Sequence, residues 1–288
     1  MIRVVLLACT LLMAGCAVFS PVRILNGVAQ GSFSVTHSIA YGPYPRDNLD
    51  VYTPPHAHDA PVVVFYYGGS WQDGDKSMYR FVGAALADKG VVTIIPNYRV
   101  YPQTDFPGFL QDSAAAFAWA HQHAAEYGGN PDRIFVMGHS AGAYNAAMLA
   151  LDPKWLAPFG LSPQQNITGF IGLAGPYDFL PLKDPVLKTI FGPPDDLART
   201  QPINFVTPGV PPAFLAAGRA DHTVSPGNTT RLAARLAQAG DEVEMKLYPG
   251  IGHRRLIGAF SPLLRWLSPV LADCLTFINH TPEQRSAA

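Results

Sequence analysis

The chain has 288 residues, a length that suits one α/β domain or two small ones. Hydrophobic residues make up 48% and charged residues only 14%, against a usual charged share of about 25%, which excludes a disordered chain. Lys and Arg total 20 against 21 Asp and Glu, so no basic excess points to a nucleic-acid partner.

The first element is a leader. Arg3 precedes a nearly unbroken apolar run from Val4 to Met13. A run of about ten residues is too short for the roughly 20 that span a bilayer as a helix, and it suits the core of a secretory signal peptide over residues 1–15. Met13-Ala14-Gly15-Cys16 resembles a bacterial lipobox, which implies a lipid on Cys16; the alternative is an ordinary signal peptide cleaved nearby. Residues 16–37 then read as lipid anchor and polar linker, and 38–280 as the folded domain. The expected location is exported, held at the membrane through Cys16 and facing the periplasm or cell exterior, or else soluble and secreted. Cleavage removes Cys9 and lipidation uses Cys16, so Cys274 has no partner and no disulfide framework is expected.

Beyond the linker the pattern alternates. Short apolar runs at 62–66, 91–95, 134–137, 170–173, 213–217 and 243–247 suit strands buried on both faces of a parallel sheet. Helical segments at 77–88, 109–125, 141–150 and 228–239 separate them. Ser77 and Asn228 are the expected N-caps, and Gly90 and Gly240 the stops. This alternation predicts a mostly parallel, doubly wound sheet of the α/β class. Residues 176–212 break the rhythm. Nine prolines between Pro176 and Pro212 exclude long helices and central strands there. Such an insertion reads as a partial lid, or alternatively as a plain connection over the sheet.

Gly138-His139-Ser140-Ala141-Gly142 matches G-x-S-x-G between a predicted strand and a predicted helix, the context the motif requires. In that turn the serine hydroxyl is pushed clear of the sheet. The two glycines let strand and helix approach, and the Ala141 N–H faces the place where an oxyanion forms. A serine hydroxyl needs a base, and in this arrangement the acid and then the histidine follow the serine in sequence. That order leaves His253, on the Gly-rich loop after the 243–247 strand. Asp221, after the 213–217 strand, is the expected acid, and Asp178 the runner-up.

Tyr67-Gly68-Gly69-Ser70-Trp71 resembles the HGG-type oxyanion loop of esterases and lipases, with Tyr67 in place of the usual His. Tyr41-Gly42-Pro43, Asn48-Leu49-Asp50-Val51-Tyr52, Gly74-Asp75-Lys76, Asn97-Tyr98-Arg99, Tyr101-Pro102 and Asp132-Arg133-Ile134 extend the likeness. Over about residues 38–270 the chain is similar to α/β-hydrolase carboxylesterases: the feruloyl-esterase-like branch, the hormone-sensitive-lipase-like esterases and the kynurenine formamidases. The resemblance implies an α/β-hydrolase fold and a small-molecule ester substrate. It further implies hydrolysis through an acyl-enzyme with no metal or organic cofactor, and oxyanion donors at the N–H groups of Gly69, Ser70 and Ala141. Asn97, Tyr98, Arg99 and Asp112 read as supports behind the site; Asp75 reads as a loop support or, alternatively, as a substrate contact. Trp71, Tyr144, Tyr177 and Phe179 are candidate pocket walls. The rival readings are an arylformamidase-like amide hydrolase, a peptidase, and a catalytically inactive lipoprotein.

Overall fold

Runs that are apolar on both sides can be kept from water only inside a sheet covered on both faces. A computed structural model describes residues 21–283. Its strands are β1 Ser34–Ala40, β2 Asn48–Thr53, β3 Ala60–Tyr66, β4 Val92–Pro96, β5 Gly129–His139, β6 Gly169–Leu173, β7 Ala213–Gly218 and β8 Val243–Tyr248. They form one sheet in the order β1-β2-β4-β3-β5-β6-β7-β8. β2 runs antiparallel to both β1 and β4. Every pair from β4 to β8 is parallel, as the alternation of apolar runs and helices predicts. β4, β6 and β7 are buried along their whole length, and β3 along nearly all of it, but β8, expected to be buried on both faces, is an edge strand in which only Tyr248 is buried.

The order reverses at β3. The chain leaves it for β4 on one side and returns to β5 on the other, so the carboxyl ends of β3 and β5 lie together, with Tyr66 beside Gly138. In open α/β sheets such a reversal leaves a crevice where ligands bind.

Several expectations need correction. The linker over 16–37 is too long, because a helix at Pro21–Gly27 and the first half of β1 lie within it. β1 is a largely exposed edge strand, so it has no apolar run to betray it. The segment 77–88 opens as a 3₁₀ turn, Lys76–Tyr79, before the α-helix Arg80–Ala87. Asp75, not Ser77, caps it, its carboxylate accepting from the Ser77 N–H at 2.9 Å. Asn228 lies inside the helix Gly227–Ala239, and its Oδ1 accepts instead from the N–H groups of Tyr177 and Asp178. Gly90 and Gly240 do end their helices, each with φ +85°.

The 176–212 insertion contains a seven-residue helix, Pro185–Phe191, and two 3₁₀ stretches, Pro194–Thr200 and Pro202–Phe205. The signal peptide over 1–15 and Cys16 lie outside the described residues. Among the described residues no helix is long and apolar enough to cross a membrane, and Cys274 is a buried free thiol.

Candidate active site

Ser140 joins β5 to the helix Ala141–Leu151 with φ 56° and ψ −124°. For a non-glycine residue this costs about 1–3 kcal/mol and persists only where the surroundings impose it. Here close packing imposes it. A Cβ on Gly138 would fall 2.2 Å from the Gly142 backbone, and one on Gly142 2.0 Å from the Tyr66 carbonyl oxygen. The Ser140 N–H donates to the Leu173 carbonyl at 2.9 Å. The Ala141 N–H opens the helix, where no helical carbonyl stands behind it.

The turn after β7 carries Asp221, and the loop after β8 leads to His253, the first residue of the helix His253–Gly258. Backbone bonds lace the two loops together, from Arg219 to Tyr248 at 2.9 Å and from Ala220 to Ile251 at 3.0 Å. His253 Nδ1 lies 2.7 Å from Asp221 Oδ2. Asp221 Oδ1 accepts from the N–H groups of Thr223 and Val224 at 2.9 Å each. Burial pushes the Asp221 carboxyl up. The bonds from His253, Val224 and Thr223 outweigh it and leave the carboxyl below its ordinary value. A carboxylate at Nδ1 holds the proton there and frees Nε2 to accept one. Asp178 sits elsewhere, paired with Arg231.

Gly69, Ser70 and Trp71 all have positive φ, at 145°, 54° and 57°. The Gly69 carbonyl accepts from the N–H groups of Gln72 and Asp73 at 3.0 Å. Because the peptide is planar and trans, the Ser70 N–H leaves on the opposite side. Only glycine fits at 69, where a Cβ would lie 2.0 Å from the Asp73 carbonyl oxygen. The loop is clamped from behind. The Tyr67 hydroxyl accepts from Arg46 Nη2 at 2.8 Å and donates to Asn97 Oδ1 at 3.0 Å. Its ring stacks on Tyr98 at 4.6 Å. Arg46 also donates to the carbonyls of Gly74 and Tyr98. Asn97 Nδ2 donates to Asp75, and Arg99 grips Asp112 with Nε and Nη2. Tyr67 therefore orients the loop through its hydroxyl. Asp75, Asn97, Tyr98, Arg99 and Asp112 lie behind the site, as expected of supports.

Two cavities meet at Ser70 and Ser140. One of about 220 Å³ is bordered by Gly68, Gly69, His139, Thr223, His253 and Arg254. The other, of about 650 Å³, is bordered by Trp71, Phe179, Leu180, Leu182, Leu187 and Val224, among others. The 176–212 insertion supplies much of its wall. Among the described residues no three His, Cys, Asp or Glu side chains are grouped to hold a metal ion.

A family model described as BD-FAE matches residues 49–236, which take in the clamped loop, Ser140 and Asp221. The chain belongs to the BD-FAE family. This BD-FAE chain is 28% identical over 246 residues to the isoprenylcysteine alpha-carbonyl methylesterase ICME of Arabidopsis thaliana, an alignment covering 78% of the chain. It is 28% identical over 235 residues to esterase LipC of Mycobacterium tuberculosis, covering 75% of the chain. It spans 58% of the length of each of these relatives. Among solved structures, apo Thermogutta terrifontis esterase 2 superposes with a TM-score of 0.71 at 25% identity, covering 86% of this chain and 94% of that one. The fold is thus the α/β-hydrolase fold that the resemblance implies.

Two of the four candidate pocket walls in this BD-FAE chain are not walls. Tyr144 and Tyr177 are fully buried. Tyr144 lies on a helix buried on every side, and its ring meets Trp71 edge-on at 5.0 Å. Tyr177 folds back onto Gly172, Gly175 and Phe170. Trp71 and Phe179 do line the larger cavity, stacked 6.2 Å apart. Trp71 is fixed by Nε1 donating to Asn145 Oδ1 at 3.0 Å. Sequence reasoning passes over Arg46 and His139. Arg46 has no local signal, since its partners lie 21 to 52 residues away. His139 is set aside as a base by its place before Ser140, although a histidine inside the motif is itself a signal.

Proposed function

We propose that the protein is a serine hydrolase of carboxylic esters working through an acyl-enzyme. The observation that carries this is the Asp221–His253 pair, 2.7 Å apart, opening on the cavity that also holds Ser140 in its strained turn. Ser140 Oγ attacks the ester carbonyl carbon as His253 Nε2 takes its proton. The charge formed on the carbonyl oxygen is met by the N–H groups of Gly69, Ser70 and Ala141. His253 then protonates the leaving alkoxide, which departs as the alcohol. It next takes a proton from water, whose oxygen attacks the acyl carbon, and returns that proton to Ser140. Asp221 stays ionised throughout and holds the imidazolium.

The unequal cavities favour an ester with one compact part and one bulkier apolar part. Of the two, only the larger cavity falls in the roughly 300–1,000 Å³ range usual for ligand sites; aromatic and aliphatic side chains face it, and so do Asp178, Lys183, Asp184, His222 and Arg231. The purified protein is expected to turn over a short-chain aryl ester, and Ser140→Ala to abolish turnover. An inactive wild type, beside a working control esterase, would sink the reading.

The leader supports export with a lipid on Cys16. Cys16→Ala is then expected to move the mature protein from the membrane fraction to the soluble fraction; an unchanged distribution contradicts the anchor.

A further inference from the structure

His139 stands at the carboxyl end of β5, one residue before Ser140, and is only 4% exposed. Its Nε2 lies 3.2 Å from the backbone carbonyl oxygen of His253, and the two rings are 4.7 Å apart. A carbonyl only accepts, so Nε2 carries the proton. Burial, with the nearby His253, holds the His139 imidazole at about 3, so it is neutral and has a single N–H. That N–H is spent on the main chain of the base. Among the described residues Nδ1, buried on the side toward Gly68, has no hydrogen-bond partner. An unmatched buried nitrogen works against folding, and an apolar side chain of similar size would avoid it. Packing alone does not account for a histidine here.

We infer that His139 is a positioning residue, whose Nε2–H pins the His253 carbonyl so that the imidazole is presented to Ser140. Asp221 sets the orientation of the His253 ring through Nδ1, and His139 sets where the residue's backbone sits. The base is thereby tied to the strand that carries the nucleophile, across 114 residues of sequence. Such a tie matters because a displacement of about 1 Å at a reacting group can cost about a hundredfold in rate.

This inference rests on the hydrolase reading, and the experiment separates the two. Full-length wild type, Ser140→Ala, His139→Gln, His139→Met and His139→Asn are compared for kcat, KM and Tm on a short-chain aryl ester. Gln and Met have nearly the same length, but only Gln carries an N–H that reaches the His253 carbonyl. Asn carries the same amide one methylene short. His139→Met and His139→Asn are expected to lose about tenfold or more in kcat with KM within about twofold, and His139→Gln to recover most of the loss. Recovery by Gln is the readout that a merely structural role would not produce. Wild-type kcat in His139→Met or His139→Asn, or equal losses in all three variants, overturns the role of His139. An inactive wild type or an active Ser140→Ala overturns the hydrolase reading instead.

Discussion

The neutral, buried state of His139 has a consequence for stability that needs no substrate. An ordinary histidine titrates near 6.5, while His139 in the folded chain titrates at about 3. Below pH 6.5 the unfolded chain takes up a proton that the folded chain refuses. The stability tied to this group is therefore complete above 6.5 and drains away as pH falls toward 3. One proton changes the unfolding free energy by about 1.4 kcal/mol per pH unit, and pH 5 lies about 1.5 units below 6.5, so the loss at pH 5 is about 2 kcal/mol. Glutamine does not titrate, so His139→Gln should lack this component. Urea unfolding of wild type and His139→Gln at pH 7.5 and pH 5.0 measures it as a difference of differences, in which the other titrating groups largely cancel. Wild type should lose about 2 kcal/mol more than His139→Gln over that interval. Losses equal to within about 0.5 kcal/mol would refute the buried neutral imidazole.

Other consequences concern the reaction. Asp221→Asn should keep the fold but lower kcat by about 10⁴ with little change in KM, because the amide no longer selects the productive tautomer of His253; a loss of less than tenfold would contradict the assignment. Gly69→Ala forces a Cβ to within 2.0 Å of the Asp73 carbonyl oxygen, which moves the loop that carries the Ser70 N–H. Its kcat should fall by about 10²–10³, the usual effect of losing one oxyanion donor, measured beside a circular dichroism check of the fold. Phe179→Ala opens the larger cavity where Phe179 stacks on Trp71. Across a panel of esters, kcat/KM should drop most for the bulkiest apolar group and least for the smallest; a uniform drop would argue against that cavity as its seat.

Most of the strands visible in the sequence are those whose burial is symmetric, although β8, visible too, is an edge strand with only Tyr248 buried. β3, β4, β6 and β7 are covered on both faces, so each appears as an unbroken apolar run. β1 lies at an edge with most of its residues exposed, and nothing in Ser34–Ala40 marks a strand. β5 shows in the sequence only from Ile134, because the residues from Gly129 to Arg133 that extend it are mostly polar. Ser77 and Asn228 failed as caps for one reason: a cap is a contest between side chains. Asp75 reaches the Ser77 N–H first, and Asn228 is taken up by Tyr177 and Asp178.

The meeting of Ser140 with the Asp221–His253 pair is legible in the sequence because each residue follows a strand end, and the sheet brings those ends together. Tyr144 and Tyr177 lie in the core and not at the cavity, a difference one dimension does not encode, because an aromatic near a motif suits either place. Arg46 and His139 act on backbone carbonyls far along the chain, and no spacing rule encodes such contacts.

The central claim is that Ser140 is the residue that becomes acylated. The most direct measurement is intact-protein and peptide mass spectrometry after treatment with a fluorophosphonate ester, which traps an activated serine covalently. One adduct per chain on the peptide containing Ser140, absent from Ser140→Ala and much slower to form in Asp221→Asn, is the predicted result. An adduct on another residue, or none on a folded wild type, would contradict it.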